Sequence, residues 1–177
     1  MSATAAPSLT QQVTAIPAGA HVIAAHWLGR QLALALGDGV VLLVADGGET
    51  TRVEAHPEAG ILVAAGDGRR LVTGGDDGRI VAVKADGGVD AIATAQGGAW
   101  IDALALHPDG GVAYAAGKRV VARDAKGREK GFEAPSTARG LASRWVRSRQ
   151  LCTCSSRGQP SMSVERHACL SSRKSRR

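Results

Sequence analysis

Aromatic side chains are scarce in this 177-residue chain: three tryptophans, one tyrosine and one phenylalanine. A surface that stacks single-stranded bases on aromatic rings is therefore not expected. No apolar run approaches the ~20 residues of a membrane helix, the longest being Val40–Ala45. The opening MSATAAPSLTQQ has no basic residue and no apolar core, so no secretory signal is visible. Cysteine is absent before Cys152, which fits a reducing compartment such as the cytoplasm. Serine before residue 143 is limited to Ser2, Ser8 and Ser136, and neither a G-x-S-x-G elbow nor a P-loop occurs. What is present is a chain 44% hydrophobic and 21% charged, long enough for one domain with a core and too apolar to be wholly disordered.

The net charge of +6 is an average over two unlike pieces. Residues 1–142 hold 13 Lys and Arg against 15 Asp and Glu, whereas residues 143–177 hold nine basic side chains and the single acid Glu165. The second piece also contains all three cysteines and nine of the twelve serines, while the first has 22 of the 23 glycines. The chain therefore divides into an N-terminal segment 1–19, a glycine-rich body 20–142 and a basic Ser/Arg/Cys-rich tail 143–177, which is expected to be disordered.

The body repeats itself. GRQLALALGDGVVLLVADGG at 29–48 returns as GRRLVTGGDDGRIVAVKADGG at 68–88 and, in outline, as GGVAYAAGKRVVARDAKG at 110–127. The period is close to forty residues. Within the second unit, strands are expected near 60–65, 70–74, 79–84 and 89–95, separated by Gly66-Asp67-Gly68, Asp76-Asp77-Gly78 and Asp86-Gly87-Gly88. Asp-Gly between apolar runs marks tight hairpins, because glycine enters the left-handed region without strain. Ile80, Ala82 and Lys84 alternate with Val81 and Val83, and the runs are too short for typical helices. Four short strands per forty residues is the pattern of a β-propeller blade.

The segment Ile101-Asp102-Ala103-Leu104-Ala105-Leu106-His107-Pro108-Asp109-Gly110 resembles the WD40 repeat family, as an inner strand followed by a Pro-Asp-Gly turn. Strands over Val112–Ala116 and Val120–Arg123 follow it. The resemblance covers roughly residues 20–142. It implies an all-β fold: a partial WD40-like propeller of about three four-stranded antiparallel blades and the start of a fourth. The Trp-Asp dipeptide is absent, with Val83-Lys84 and Ala122-Arg123 in its place. His21 occupies the place of the family's histidine in the first unit and the second unit has none, so the buried polar network of the family is not expected intact. By the same resemblance, Gln12–Ile16 would be a strand built to close a ring with the last blade.

A fourth unit opens at Thr137-Ala138-Arg139-Gly140-Leu141-Ala142, parallel to Ile101–Ala105, and the pattern then stops in mid-strand with no glycine turn and no second or third strand expected. Linkers normally begin between elements. A reading-frame shift near residue 143 accounts for the change of vocabulary, and a genuine basic tail is the rival explanation. A seven-bladed ring of this period would need about 280 residues, so the chain supplies about half of one. Open blade edges would invite pairing with another chain or self-association.

Candidate chemistry is thin. Cys152, Cys154, His167 and Cys169 could supply four zinc ligands, but their spacing is not that of a structural zinc site. Asp76-Asp77-Gly78 resembles a fragment of a calcium loop, but it lacks the roughly five oxygen ligands such a loop needs and is fully explained as a hairpin turn. His21, His26, His56 and His107 lack a partner nucleophile in the sequence and read as strand-end or turn residues with local hydrogen bonds. The run Ser171–Arg177 could hold phosphates by charge alone and reads as solvated coil. No catalytic, cofactor-binding or metal-ligating residue is assigned. The resemblance implies a non-enzymatic platform for protein partners, without membrane association. The alternatives are a nucleic-acid or anionic-surface binder acting through the tail, or a truncated product with no function of its own.

Overall fold

The computed structural model describes residues 13–146 and 149–154. The first blade is β1 (Val22–Leu28), β2 (Gln31–Leu36), β3 (Val40–Val44) and β4 (Thr50–Glu54). The second is β5 (Ile61–Gly66), β6 (Arg70–Gly75), β7 (Arg79–Lys84) and β8 (Val89–Thr94). The third is β9 (Ala103–Leu106), β10 (Val112–Ala116), β11 (Arg119–Arg123) and β12 (Glu129–Glu133). Each is a four-stranded antiparallel sheet in chain order, and the first strands of successive sheets stand beside one another. The strands expected in the second unit are present to within a residue at each end. Among the described residues there is no α-helix, and none long and apolar enough to cross a membrane.

The tight turns track the glycines. In the β6–β7 turn, Gly78 has φ +74°, and its N–H donates to the Gly75 carbonyl. A side chain there would be strained by the backbone and would run into Gly98, 2.7 Å from an added Cβ.

Strand alternation distributes the core. Leu71 and Val83 join Ala33, Ala35, Val41, Leu43 and Ile61 between the first and second blades. Val72, Ile80 and Ala82 on the same strands join Ile101, Leu104, Tyr114 and Val121 between the second and third. Middle strands are thus apolar on both faces because each face meets a neighbouring sheet. The far face of the first blade, Leu34, Leu36, Leu42 and Val44, is also buried, with Ala18 and Ala20 packed against it. Arg52 ties this approach down: its Nη1 donates to the Ala18 carbonyl at 3.1 Å and its Nη2 to Asp38 Oδ2 at 3.1 Å.

Past Ala142 the structure differs from the sequence expectation. β13 (Leu141–Val146) runs on through the composition break and pairs antiparallel with β14 (Arg149–Cys154). A ladder requires backbone donors and acceptors, not a glycine turn, and the two strands are separated by only two residues. β13 packs on β9, and Ser143 Oγ donates to the Leu106 carbonyl at 2.5 Å. The remainder of the tail, 155–177, and the N-terminal residues 1–12 lie outside the described residues. Val13–Ile16, the described part of the segment read as a closing strand, belong to no ladder.

Candidate functional site

The strongest polar cluster lies at the junction of the first two blades. His56, in the connection from β4 to β5, is 1% exposed, and Thr73, on β6, is fully buried. His56 Nε2 is 2.9 Å from Thr73 Oγ1, and its Nδ1 is 3.1 Å from each carboxylate oxygen of Asp77 in the β6–β7 turn. A carboxylate only accepts, so Nδ1 carries a proton and donates to Asp77, while Nε2 pairs with the Thr73 hydroxyl, whose oxygen also lies 3.4 Å from the Val81 carbonyl. Asp77 Oδ1 also accepts from Arg79 N at 2.8 Å. Gly75 is required here, because a Cβ would stand 2.5 Å from His56 Nδ1 and 2.6 Å from Asp77 Oδ1.

The order Asp–His–Thr is that of a nucleophile with its base and orienting carboxylate. Burial argues against that use: no substrate atom reaches a Thr73 hydroxyl packed at 0% exposure. The cluster joins three chain segments from two blades and satisfies every one of its buried side-chain polar atoms. This corrects two sequence expectations. A buried polar network does form at this junction, built on His56 and not on His21. And the bonds of His56 are long-range, not local. A reading confined to each unit missed it because the histidine closes one blade while its partners lie 17 and 21 residues on, in the next.

The other candidate residues have plainer places. Asp76 Oδ1 accepts from Gly60 N at 2.9 Å, and with Asp77 committed as above, both carboxylates of the calcium-like fragment serve the fold. No group of three or more potential metal ligands gathers among the described residues. Cys152 and Cys154 fall on β14, opposite Ser143 and Leu141, while His167, Cys169 and Ser171–Arg177 lie outside the described residues. His107 Nδ1 accepts from Asp109 N at 3.1 Å in the Pro-Asp-Gly turn, a local bond as expected. His21 offers its carbonyl to Gly37 N at 2.8 Å. His26 lies on β1, its Cβ against Gly66.

One end of the blade row presents apolar side chains that the sequence reading did not single out. Ile23 and Leu62 are the bulge residues at the entries of β1 and β5, where pairing skips from Val22 to Ala24 and from Ile61 to Val63. A bulge leaves one residue out of the ladder and re-aims it, and these two are 37% and 43% exposed. Trp100, just ahead of β9, is 65% exposed. Ile23 and Leu62 stand 39 residues apart, an offset legible in the sequence, whereas Trp100 lies off that register.

No family model and no curated protein matches the chain. Solved structures do. The chain is similar to virginiamycin B lyase from Staphylococcus aureus, with a TM-score of 0.61 at 12% identity over 71% of this chain and 46% of that one. It is similar to the WD40 domain of Pan2 from Neurospora crassa, with a TM-score of 0.58 at 12% identity over 77% and 44%. It is also similar to BBS1N, solved in complex with ARL6DN, with a TM-score of 0.61 at 14% identity over 80% and 50%. The chain spans about half the length of these structures or less. Enzymes and WD40 domains both stand among them, and at such identities what they share with this chain is the propeller fold.

Proposed function

We propose that this protein is a WD40-like, non-catalytic platform that holds a protein partner on the blade end carrying Ile23, Leu62 and Trp100, in a reducing compartment such as the cytoplasm. The observation that carries this reading is the exposure of Ile23 and Leu62 at the bulged entries of β1 and β5, with Trp100 exposed three residues ahead of β9. Rigid apolar groups at fixed spacing suit an interface centre, and tryptophan is the residue type most enriched at such centres. The His56–Thr73–Asp77 cluster supports the platform reading, since it locks the first two blades together at their junction. The complexed BBS1N propeller supports the choice of protein as partner.

Partner capture from the source cytosol, followed by crosslinking and mass spectrometry, tests it. Leu62→Glu and Trp100→Ala should abolish capture and leave the thermal midpoint within the scatter of surface substitutions. Capture unchanged in both variants overturns the reading. A second reading, an anionic partner held by residues 143–177, rests on their concentrated positive charge. It requires an affinity that falls steeply with salt and vanishes when those residues are removed.

A further inference from the structure

The junction between the second and third blades lacks the cluster that fills the junction before it. Ala95 N donates to Gly78 O as Ala55 N does to Gly39 O, which puts Gln96 in the place of His56. Tyr114 pairs with Val121 as Thr73 pairs with Val81, which puts Tyr114 in the place of Thr73. The β10–β11 turn, Gly117–Lys118, is a residue shorter and carries no carboxylate in place of Asp77. In place of the cluster there is a cleft of about 280 Å³, lined by Gln96, Ala99, Tyr114, Ala116, Arg119 and Glu129 among others.

The charge of this cleft is decided by who is already paired. Glu129 Oε1 accepts from Arg123 Nη1 at 2.8 Å, so its charge is met from within the sheet. Arg119 Nη1 makes only a long ion pair with Glu133 Oε1 at 3.8 Å, which leaves its N–H donors unspent on that carboxylate, and the Arg119 side chain is 48% exposed. The cleft therefore offers a guanidinium at its mouth, with a phenol and a primary amide as neutral donors. Ala99 brings the exposed Trp100 beside it.

We propose that this inter-blade cleft binds a carboxylate side chain of an acidic segment in the partner protein, with Arg119 as the charged contact and Gln96 and Tyr114 as hydrogen-bond donors. The inference rests on the platform reading and names its chemistry. A guanidinium suits a carboxylate because its N–H groups can meet both oxygens in one plane. The carboxylate would complete at this junction the pairing that Asp77 and His56 complete at the previous one.

The test is an NMR titration of the full chain with N-acetyl-glutamate methylamide, with N-acetyl-lysine methylamide as the cationic counterpart. Saturable shifts confined to the Gln96 side-chain amide, the Tyr114 ring and the Arg119 guanidinium are expected with the glutamate probe alone. Arg119→Gln should weaken that binding about tenfold or more, Arg119→Lys should restore part of it, and Arg69→Gln should leave it unchanged. The inference is overturned by unsaturable or scattered shifts, by equal response to the lysine probe, or by indifference to Arg119→Gln. Its failure is separable from that of the platform reading: if the glutamate probe fails while Leu62→Glu and Trp100→Ala still abolish capture, only the cleft is wrong.

Discussion

Arg70 fastens the second blade to the third: its Nη2 donates to the carbonyl of Gly110 at 2.8 Å, while its Nε is held by Asp67 Oδ2 at 3.1 Å. The Pro-Asp-Gly turn of one blade is thereby clasped by the preceding one, at the end opposite the His56 cluster. Replacing Arg70 by Ala removes a partly buried bond between blades and should cost about 1–3 kcal/mol, read as a lower urea midpoint at unchanged slope. An unchanged midpoint would show that the clasp contributes nothing.

Acid should loosen this same clasp. Burial alone would push the Asp67 carboxyl up, but hydrogen bonds from Arg69 N, Arg70 N and the Arg70 side chain outweigh it and hold the group below the ordinary aspartate value of 3.8. With the folded value depressed, the contribution is fully present above the unfolded value and fades as pH falls through the folded one. Stability measured from pH 6 down to pH 2 should decline less steeply in Asp67→Asn than in the parent chain. Identical slopes would show that Asp67 takes no part in the acid limb.

The His56 cluster gives two substitutions with different mechanisms. Gly75→Ala drives a methyl group into His56 and Asp77 and should destabilise by about 1–3 kcal/mol through overpacking. Thr73→Val keeps the volume but leaves His56 Nε2 buried without a partner, at a similar cost of about 1–3 kcal/mol. Thr73→Ser, which keeps the hydroxyl, should recover most of that loss. Denaturant unfolding of the three variants checks the order, and a serine variant no better than valine would remove the hydrogen bond from the account.

Arg52→Ala should release the chain around Ala18. The guanidinium is the link that ties the Ala18 carbonyl to Asp38 across the first blade. Hydrogen exchange at residues 18–20 should quicken in the variant, with protection in β6 and β7 unchanged. Quickening spread evenly over all blades would indicate a global loss and not a local one.

Much of this architecture was legible in the sequence because its signals are local. The strands of the second unit arise from Asp-Gly turns and five- or six-residue apolar runs, and β7 alternates as read, with Ile80 and Ala82 facing the third blade and Val83 facing the first. What escaped was non-local. His56 reads as a lone histidine until its partners are brought up from the next blade. β14 escapes because its turn carries no glycine and its Arg, Gln, Cys and Thr residues show no apolar alternation, while its pairing with β13 is made by backbone groups. Ile23 and Leu62 look like ordinary strand residues, since a bulge changes which way a side chain points without changing composition. The cleft at Tyr114 was hidden for the same reason as the cluster: both exist only at a junction.

The two-faced middle strands make the junctions separately addressable by sequence parity. Along β6, Leu71 and Thr73 serve the earlier junction while Val72 serves the later one; along β7, Val81 and Val83 serve the earlier and Ile80 and Ala82 the later. Neighbouring positions in one strand therefore report on different interfaces. A truncation at Leu71 loosens the sheet from the first blade, and one at Val72 loosens it from the third. Inherited variation in this row of sheets should accordingly couple odd positions to one neighbour and even positions to the other, so that two adjacent residues evolve under the constraints of opposite halves of the molecule.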